Sequence, residues 1–416
     1  MKKLLILIPL VFLICGTVQS QWVQQYQVTE FVNLEDVNFV NDQTGWACGD
    51  GGLILKTTNQ GQNWVQQVSG TTKRFERIAI VDENIVYIAG QFRTVLKTTN
   101  SGNNWIILSE GQSAPSYYAV FFLNKDTGFV AGELQNVWKT TNGGADFTPI
   151  PIPNSSRFYD MYFRNKDEGI ISGDGGVYKT SDGGDTWEKI TFYFETNRFD
   201  EMSFVNKDTG YIVGRFTNQA YKTTNFGSSW DSLSRVPNPA QISQSYSICF
   251  VNNDTGWVGG SFGYMFKTTN GGLNWYEQDM SQFNQGYIED IHFINDTTGW
   301  AIGAATKILF TTNGGGPLVS ILNISNEIPN GFILEQNYPN PFNGSTNIKF
   351  SINERLSVTL EIYDILGRMI YFEDFGFKIP GEYMINYNAD KLSSGVYFYT
   401  LATNEKIMTR KFIVTK

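Results

Sequence analysis

Lys-Thr-Thr-Asn and its close variants recur at Lys56, Lys97, Lys139, Lys179, Lys222, Lys267 and Phe310, at intervals of 41, 42, 40, 43, 45 and 43 residues. A period of this length held seven times restricts the chain's body to a repeat architecture, because one short unit cannot bury its own apolar faces. Each unit reads alike. An apolar run such as Asp36 to Asn41 meets a turn, a short run such as Thr44 to Gly49, a Gly-rich turn, Leu53 to Asn59, and then a Trp-led run such as Asn63 to Val68. Alternation in these runs has period two, and no stretch of the body carries a 3.6-residue stripe. Four antiparallel strands per unit predict a seven-bladed β-propeller in an all-β chain. The 41 glycines, the 15% aromatic content and the charged content of only 17% suit that reading, with many tight turns and large cores.

Ring closure is legible too. The seventh unit reaches Phe310 to Gly316 and meets Pro317 with no Trp-led run after it, whereas Trp22 to Val28 matches the outer run at Trp64 to Val68. The chain's start therefore supplies the missing strand and removes an open edge. In Thr180 to Trp187, the Thr and Asp oxygens accept turn amides, Gly183 and Gly184 tolerate positive φ, and Trp187 fills the wedge between blades. Trp64, Trp105, Trp230, Trp275 and Phe147 repeat that role. These boxes resemble the Asp-box of several propeller families. Together with Asp-x-Thr-Gly-Trp at Asp42 to Trp46 and its variants ending at Trp257 and Trp300, they resemble propellers related to photosystem II stability and assembly factors over residues 22–316. Such boxes specify fold far better than function.

Lys2 and Lys3 precede an apolar run from Leu4 to Cys15, too short at about a dozen residues for the roughly 20 a spanning helix needs. Residues 1–20 read as a signal peptide with cleavage before Gln21, the alternative being lipidation at Cys15. No later run is apolar enough to span a bilayer, so no integral membrane segment is expected after cleavage. Cys48 and Cys249 are expected as free buried thiols. With one His and three Cys, no metal site and no cofactor are expected. Residues 21–331 hold 31 acidic and 20 basic side chains, which argues against nucleic acid as a partner.

Residues 317–331 read as a linker, and 332–416 as about seven short strands forming a small immunoglobulin-like β-sandwich. Three ordered motifs stand there: Asn337 to Asn343, with Pro339, Asn340, Pro341 and Phe342; Leu360 to Arg368, with Gly367; and Ser393 to Leu401, with Gly395. The prolines stiffen an extended entry and the two glycines allow turns. This segment resembles the type A sorting domain of the type IX secretion system. The resemblance implies the type IX machinery as a partner, passage through the periplasm, and a secreted or cell-surface location with removal of the domain.

Ligand sites of propellers lie on the face where inner strands begin. Just before those strands stand Asn33, Arg74, Ser116, Arg157, Arg198, Gln244 and Tyr287, and the turns between second and third strands add Arg93 and Arg215 with Asp50, Glu133 and Asp174. The candidate ligand contacts are Arg74, Arg93, Arg157, Arg198, Arg215 and Tyr287. Such a rim either captures a carboxylate, a peptide or an acidic sugar, or consists of arginines paired with local acids. The function expected is recognition of an extracellular protein or glycan, with no catalytic residues assigned. The alternative is a sialidase-like or other polysaccharide-cleaving enzyme, in which Arg74, Arg157 and Arg198 mimic an arginine triad. Against it stand the near-uniform blades, their number and the missing Phe/Tyr-Arg-Ile-Pro signature. His292 alternates with Ile291 and Phe293 and reads as structural. No P-loop, dinucleotide fingerprint, His-Glu-x-x-His or EF-hand motif is present.

Overall fold

The computed structural model describes residues 22–27, 32–113, 115–153, 155–190, 198–237, 244–278, 280, 286–303, 307–315, 320–325, 329, 331–389, 392–403 and 406–416. The expected leader over 1–20, its cleavage point and Cys15 lie outside them. Seven four-stranded antiparallel sheets follow one another along the chain as the blades of a β-propeller. Inner strands pack in order around a central channel, and the seventh (Ile288–Phe293) packs against the first (Leu34–Phe39). The outer strand of the seventh blade is Val23–Gln27, which pairs antiparallel with Lys307–Thr311, Val23 opposite Phe310 and Gln24 opposite Leu309.

The wedge between blades is built from more residues than the outer-strand tryptophans. Six of the seven inner strands end in a Phe, blade 2 ending in Ile80 instead, and in most of those six an aromatic of the preceding blade's second strand stacks on it. Tyr87 lies over Phe122 at 3.5 Å, Tyr211 over Phe250 at 3.6 Å, Trp257 over Phe293 at 3.5 Å, and Trp300 over Phe39 at 3.6 Å, the last across the ring's closure. The outer-strand Trp of the Phe's own blade then meets the ring edge-on: Trp64 on Phe39, Trp187 on Phe163, Trp275 on Phe250 and Trp22 on Phe293, all at 5.8–6.0 Å. Offset and edge-on ring pairs add about 0.5–1.5 kcal/mol beyond area burial. The glycine that opens the second strand is required wherever the inner strand ends in Phe, since a Cβ at Gly169 would stand 2.5 Å from the Phe163 ring, and blade 2, with Ile80 in place of the Phe, carries Val86 there.

The repeat motif itself locks a turn and a neighbour. Thr180 Oγ1 accepts the Gly184 amide at 2.9 Å and donates to Asp182 Oδ1 at 2.8 Å, while Asp182 accepts the Thr186 amide at 2.9 Å. Blade lysines reach onward. Lys97 Nζ lies 5.0 Å from the Tyr87 ring and donates to the Gly143 carbonyl of the next blade at 3.2 Å, and Lys267 does the same with Trp257 and Gly314. Thr180→Val keeps the shape but leaves the Gly184 amide without its acceptor. It is expected to lower stability by about 1–2 kcal/mol in urea denaturation, and an unchanged midpoint would refute this account of the motif.

Downstream, two four-stranded sheets form a sandwich. One has the order Ser320–Ser325, Gly381–Asn388, Ser345–Ile352, Ile333–Leu334, and the other Met369–Lys378, Leu356–Asp364, Gly395–Thr403, Ile407–Val414. Ile348, Phe350, Leu360, Ile362, Ile385, Tyr399 and Phe412 share the core between them. Within the expected linker at 317–331, Ser320–Ser325 is instead an edge strand of the sandwich, its backbone paired antiparallel with Gly381–Asn388. Asn337 is buried and donates from Nδ2 to Thr346 Oγ1 at 2.9 Å and to the Pro339 carbonyl at 3.1 Å. Pro341 leads into Phe342, which packs on Phe412, while Asn340 Oδ1 accepts the Ile413 amide at 2.9 Å. Gly367 holds a turn at φ 75°, but Gly395 opens a strand opposite Val414 and makes no turn.

Candidate functional site

The channel face is set by backbone geometry repeated in each blade. The amide that opens each turn between second and third strands donates to the carbonyl just before the inner strand: Asp50 to Asn33, Gln91 to Arg74, Glu133 to Ser116, Asp174 to Arg157, Arg215 to Arg198 and Ser261 to Gln244, at 2.9–3.2 Å. Both sets of residues therefore share one rim. The approach demands glycine at the end of the second strand, because a Cβ at Gly173 would stand 1.8 Å from the Arg157 carbonyl oxygen.

Inner strands enter the channel through a β-bulge. Pairing with the second strand slips at Leu34/Asp36, Phe75/Arg77, Tyr117/Ala119, Phe158/Asp160, Ser245/Ser247 and Ile288/Asp290. A bulge inserts one residue and re-aims its side chain, so two successive residues of each strand serve the channel. The upper set, Glu35, Glu76, Tyr118, Tyr159, Asp200, Tyr246 and Glu289, lines a cavity of about 280 Å³ together with Arg74, Arg77, Arg157, Arg198 and Arg215.

Beneath it the next residues stitch the ring. Asp290 Oδ2 accepts the Val37 amide at 2.9 Å, Asp36 accepts that of Ile78, Asp160 that of Met202 at 2.8 Å, and Glu201 that of Ile248 at 3.0 Å. Ser247 Oγ accepts the Ile291 amide at 3.0 Å. Arg77 replaces the acceptor in blade 2 and extends into the channel toward the Asp200 carbonyl at 3.4 Å. Burial opposes its charge, yet Glu201, Asp36, Asp290 and Asp160 outweigh burial and raise its pKa.

Four of the six expected rim residues, Arg74, Arg157, Arg198 and Arg215, line the cavity. Arg93 instead lies over the Trp138 indole at 5.4 Å, and exposed Tyr287 stands beside Tyr246 at 6.0 Å. The mouth is balanced in charge, not basic. Arg74 pairs with Glu35 at 2.7 Å and Glu76 at 3.1 Å, Arg198 with Asp200 at 2.8 Å, and Arg215 with the same Asp200. Arg198 and Arg215 also stack on Tyr159 and Tyr246 at 4.4 and 4.3 Å. Arg157 differs: its side chain is 51% exposed and its ion pair with Glu133 is at 4.0 Å. It is the arginine most open to a ligand anion.

Burial pushes Glu35 up to about 8 despite Arg74, and Glu76 up to about 7. Tyr118 Oη donates to Glu133 Oε1 at 3.1 Å, and burial holds that phenol up at about 12. His292 stacks on Phe39 at 5.9 Å, with burial lowering its pKa to about 4. Cys48 and Cys249 are free thiols. Among the described residues no helix is long and apolar enough to cross a membrane.

Comparison with known proteins adds family and fold. The profile of the photosynthesis system II assembly factor YCF48 matches residues 15–115, 144–245 and 234–334, and that of the secretion system C-terminal sorting domain matches 336–415. A solved structure of YCF48 from Cyanidioschyzon merolae superposes with a TM-score of 0.58 at 17% identity, covering 70% of this chain and 99% of that one. A structure described as YCF48 bound to D1 peptide gives 0.57 at 16% identity, covering 70% and 95%. A structure described as U3-55K gives 0.56 at 9%, covering 70% and 98%. At these identities the likeness is one of fold alone. No curated protein matches the sequence.

Proposed function

Because the chain belongs to the photosynthesis system II assembly factor YCF48 family and ends in a sorting domain that commits it to type IX secretion, we propose that its propeller is an exported binding module. It recognises a protein or glycan through the channel face. The observation that carries this reading is the cavity at the mouth, where Arg157 is exposed among tyrosines and ion-paired arginines. A group that is anchored by its neighbours yet open on one side accepts a carboxylate without first breaking a short ion pair. The relative described as bound to D1 peptide supports a polypeptide among the ligands. The proposed route is a leader over 1–20, passage through the periplasm, and release or surface attachment of a propeller over 21–316. The sorting domain assigned to 332–416 gains the strand at Ser320–Ser325 upstream.

Glycan arrays and immobilised peptide panels, probed with the full chain and with Arg157→Ala, test the reading. Binding should fall at least about tenfold in the variant, the scale of one lost charged contact. Equal binding by both proteins would discard the mouth as the site. A second reading, glycoside cleavage, is favoured only by the Tyr118–Glu133 pair beside Arg157. Its phenol is held in the protonated form, which is a poor nucleophile. Release of sialic acid or reducing ends from a broad polysaccharide panel would revive this reading, and silence across that panel would remove it.

A further inference from the structure

The turns between second and third strands hold a pattern that the cavity does not use. Two residues beyond the second strand's closing glycine, equivalent places around the rim carry Gly51, Phe92, Leu134, Gly175, Phe216 and Phe262. Phe92, Leu134 and Phe262 adopt left-handed backbone there, at φ 57°, 75° and 60°, as does Gly51 at 67°. Glycine takes this conformation readily and a bulky residue does not. Leu134 and Phe262 are held in this unfavourable backbone and still exposed, Phe92 is strained and half-buried, and Phe216 is exposed in ordinary backbone. Leu134 is 49% exposed, Phe216 57% and Phe262 41%. Strained, exposed apolar residues at the mouth of a cavity mark a binding surface better than they explain folding.

Their order around the ring gives the surface a shape. Blades 2 and 3 carry Phe92 and Leu134, blades 5 and 6 carry Phe216 and Phe262, and the described turns of blades 1 and 4 carry Asp50-Gly51-Gly52 and Asp174-Gly175-Gly176. Two apolar banks therefore stand on opposite sides of the ring, with glycine turns at blades 1 and 4 and the arginine-lined cavity between the banks. We propose that this trough binds an extended polypeptide segment of a partner protein. An acidic group of the segment reaches Arg157, and large apolar side chains at alternating positions rest on the two banks. Extended chains project side chains to opposite sides with period two, which matches opposed banks, and the exposed guanidinium supplies the charge complementarity. The proposal rests on the channel-face reading above and narrows it to one class of ligand.

The test pans a phage-displayed library of random dodecapeptides on the full chain. Recovered peptides are then titrated by fluorescence anisotropy against the full chain, Arg157→Gln, and the double variant Phe216→Ser, Phe262→Gly. The expected peptides carry an acidic residue flanked at alternate positions by large apolar residues. Both variants should bind them at least about tenfold more weakly. The double variant should melt no lower than the parent, because Gly relieves the backbone at 262; a merely structural role would predict a lower melting point. Equal affinity for the double variant overturns the trough while leaving the channel-face reading intact. Failure to recover any peptide also overturns the trough; glycan-array binding in that case preserves the channel-face reading with a sugar ligand, and silence on both removes it too.

Discussion

Trp22→Ala is expected to lower the propeller's stability by about 3–5 kcal/mol, the range for truncating a large buried aromatic. Trp22 is fully buried, lies edge-on to Phe293 at 5.8 Å, and shares a core with Trp257, Ile291 and Leu309. Its loss removes more than volume. The strand it introduces is the outer strand of the last blade, so a weakened Val23–Gln27 exposes the edge of Lys307–Thr311. Loss of cooperativity should accompany loss of stability, with urea unfolding broader than in the parent. Trp105→Ala is the control: Trp105 is an outer-strand Trp that is only partly buried and does not close the ring. A Trp22→Ala protein no less stable than the Trp105→Ala protein would mean that the chain's start is not what seals the circle.

The fold was legible because propellers write one unit many times. The spacing of Lys-Thr-Thr-Asn gives the number of blades, and the match between Trp22–Val28 and Trp64–Val68 gives the closing strand. The role of the motif's lysine was not legible, since its partner is the Gly-turn carbonyl one blade further on, at a sequence distance no local pattern encodes. Half the site was missed for a different reason. The rim was read from the residues just before the inner strands and from the turns, so the inner strands' own channel residues, re-aimed by the bulge, were left out. The signal was present as paired polar residues after the first apolar one: Glu35-Asp36, Glu76-Arg77, Tyr159-Asp160, Asp200-Glu201 and Glu289-Asp290. Two consecutive polar residues inside a half-buried strand violate period two, and a bulge is the simplest backbone that accommodates both. Those residues supply the acids that pair with Arg74, Arg198 and Arg215, the second of the two outcomes left open for the rim.

Arg77→Met should show a deficit that depends on pH. The guanidinium lies deep in the channel among Asp36, Asp160, Glu201 and Asp290. Burial raises the pKa of Asp36 and Glu201 well above the usual range and that of Asp160 up to about 6, even with Arg77 present. A carboxyl whose folded pKa is raised holds its proton more tightly when folded. Its contribution is fully present at low pH and is lost as pH rises through the folded value. The parent should therefore lose stability between pH 5 and pH 8, the interval in which Asp160 ionises and Glu76 follows at about 7. Arg77 lowers the pKa of these carboxyls, so without it their folded values rise further and the loss runs on to higher pH. At pH 8 the variant should be roughly 3–5 kcal/mol less stable than the parent, the cost of an uncompensated buried charge. At pH 5 Asp160 is largely protonated and burial holds Asp36 and Glu201 toward the protonated form, so less charge faces the arginine and the deficit should shrink to a small fraction of that. Adding Glu201→Gln to Arg77→Met should recover part of the pH 8 deficit, because it removes one of the charges Arg77 offsets. Urea denaturation of the three proteins at both pH values decides the matter. A deficit equal at pH 5 and pH 8, or no recovery on adding Glu201→Gln, would show that Arg77 holds the channel by packing and not by charge.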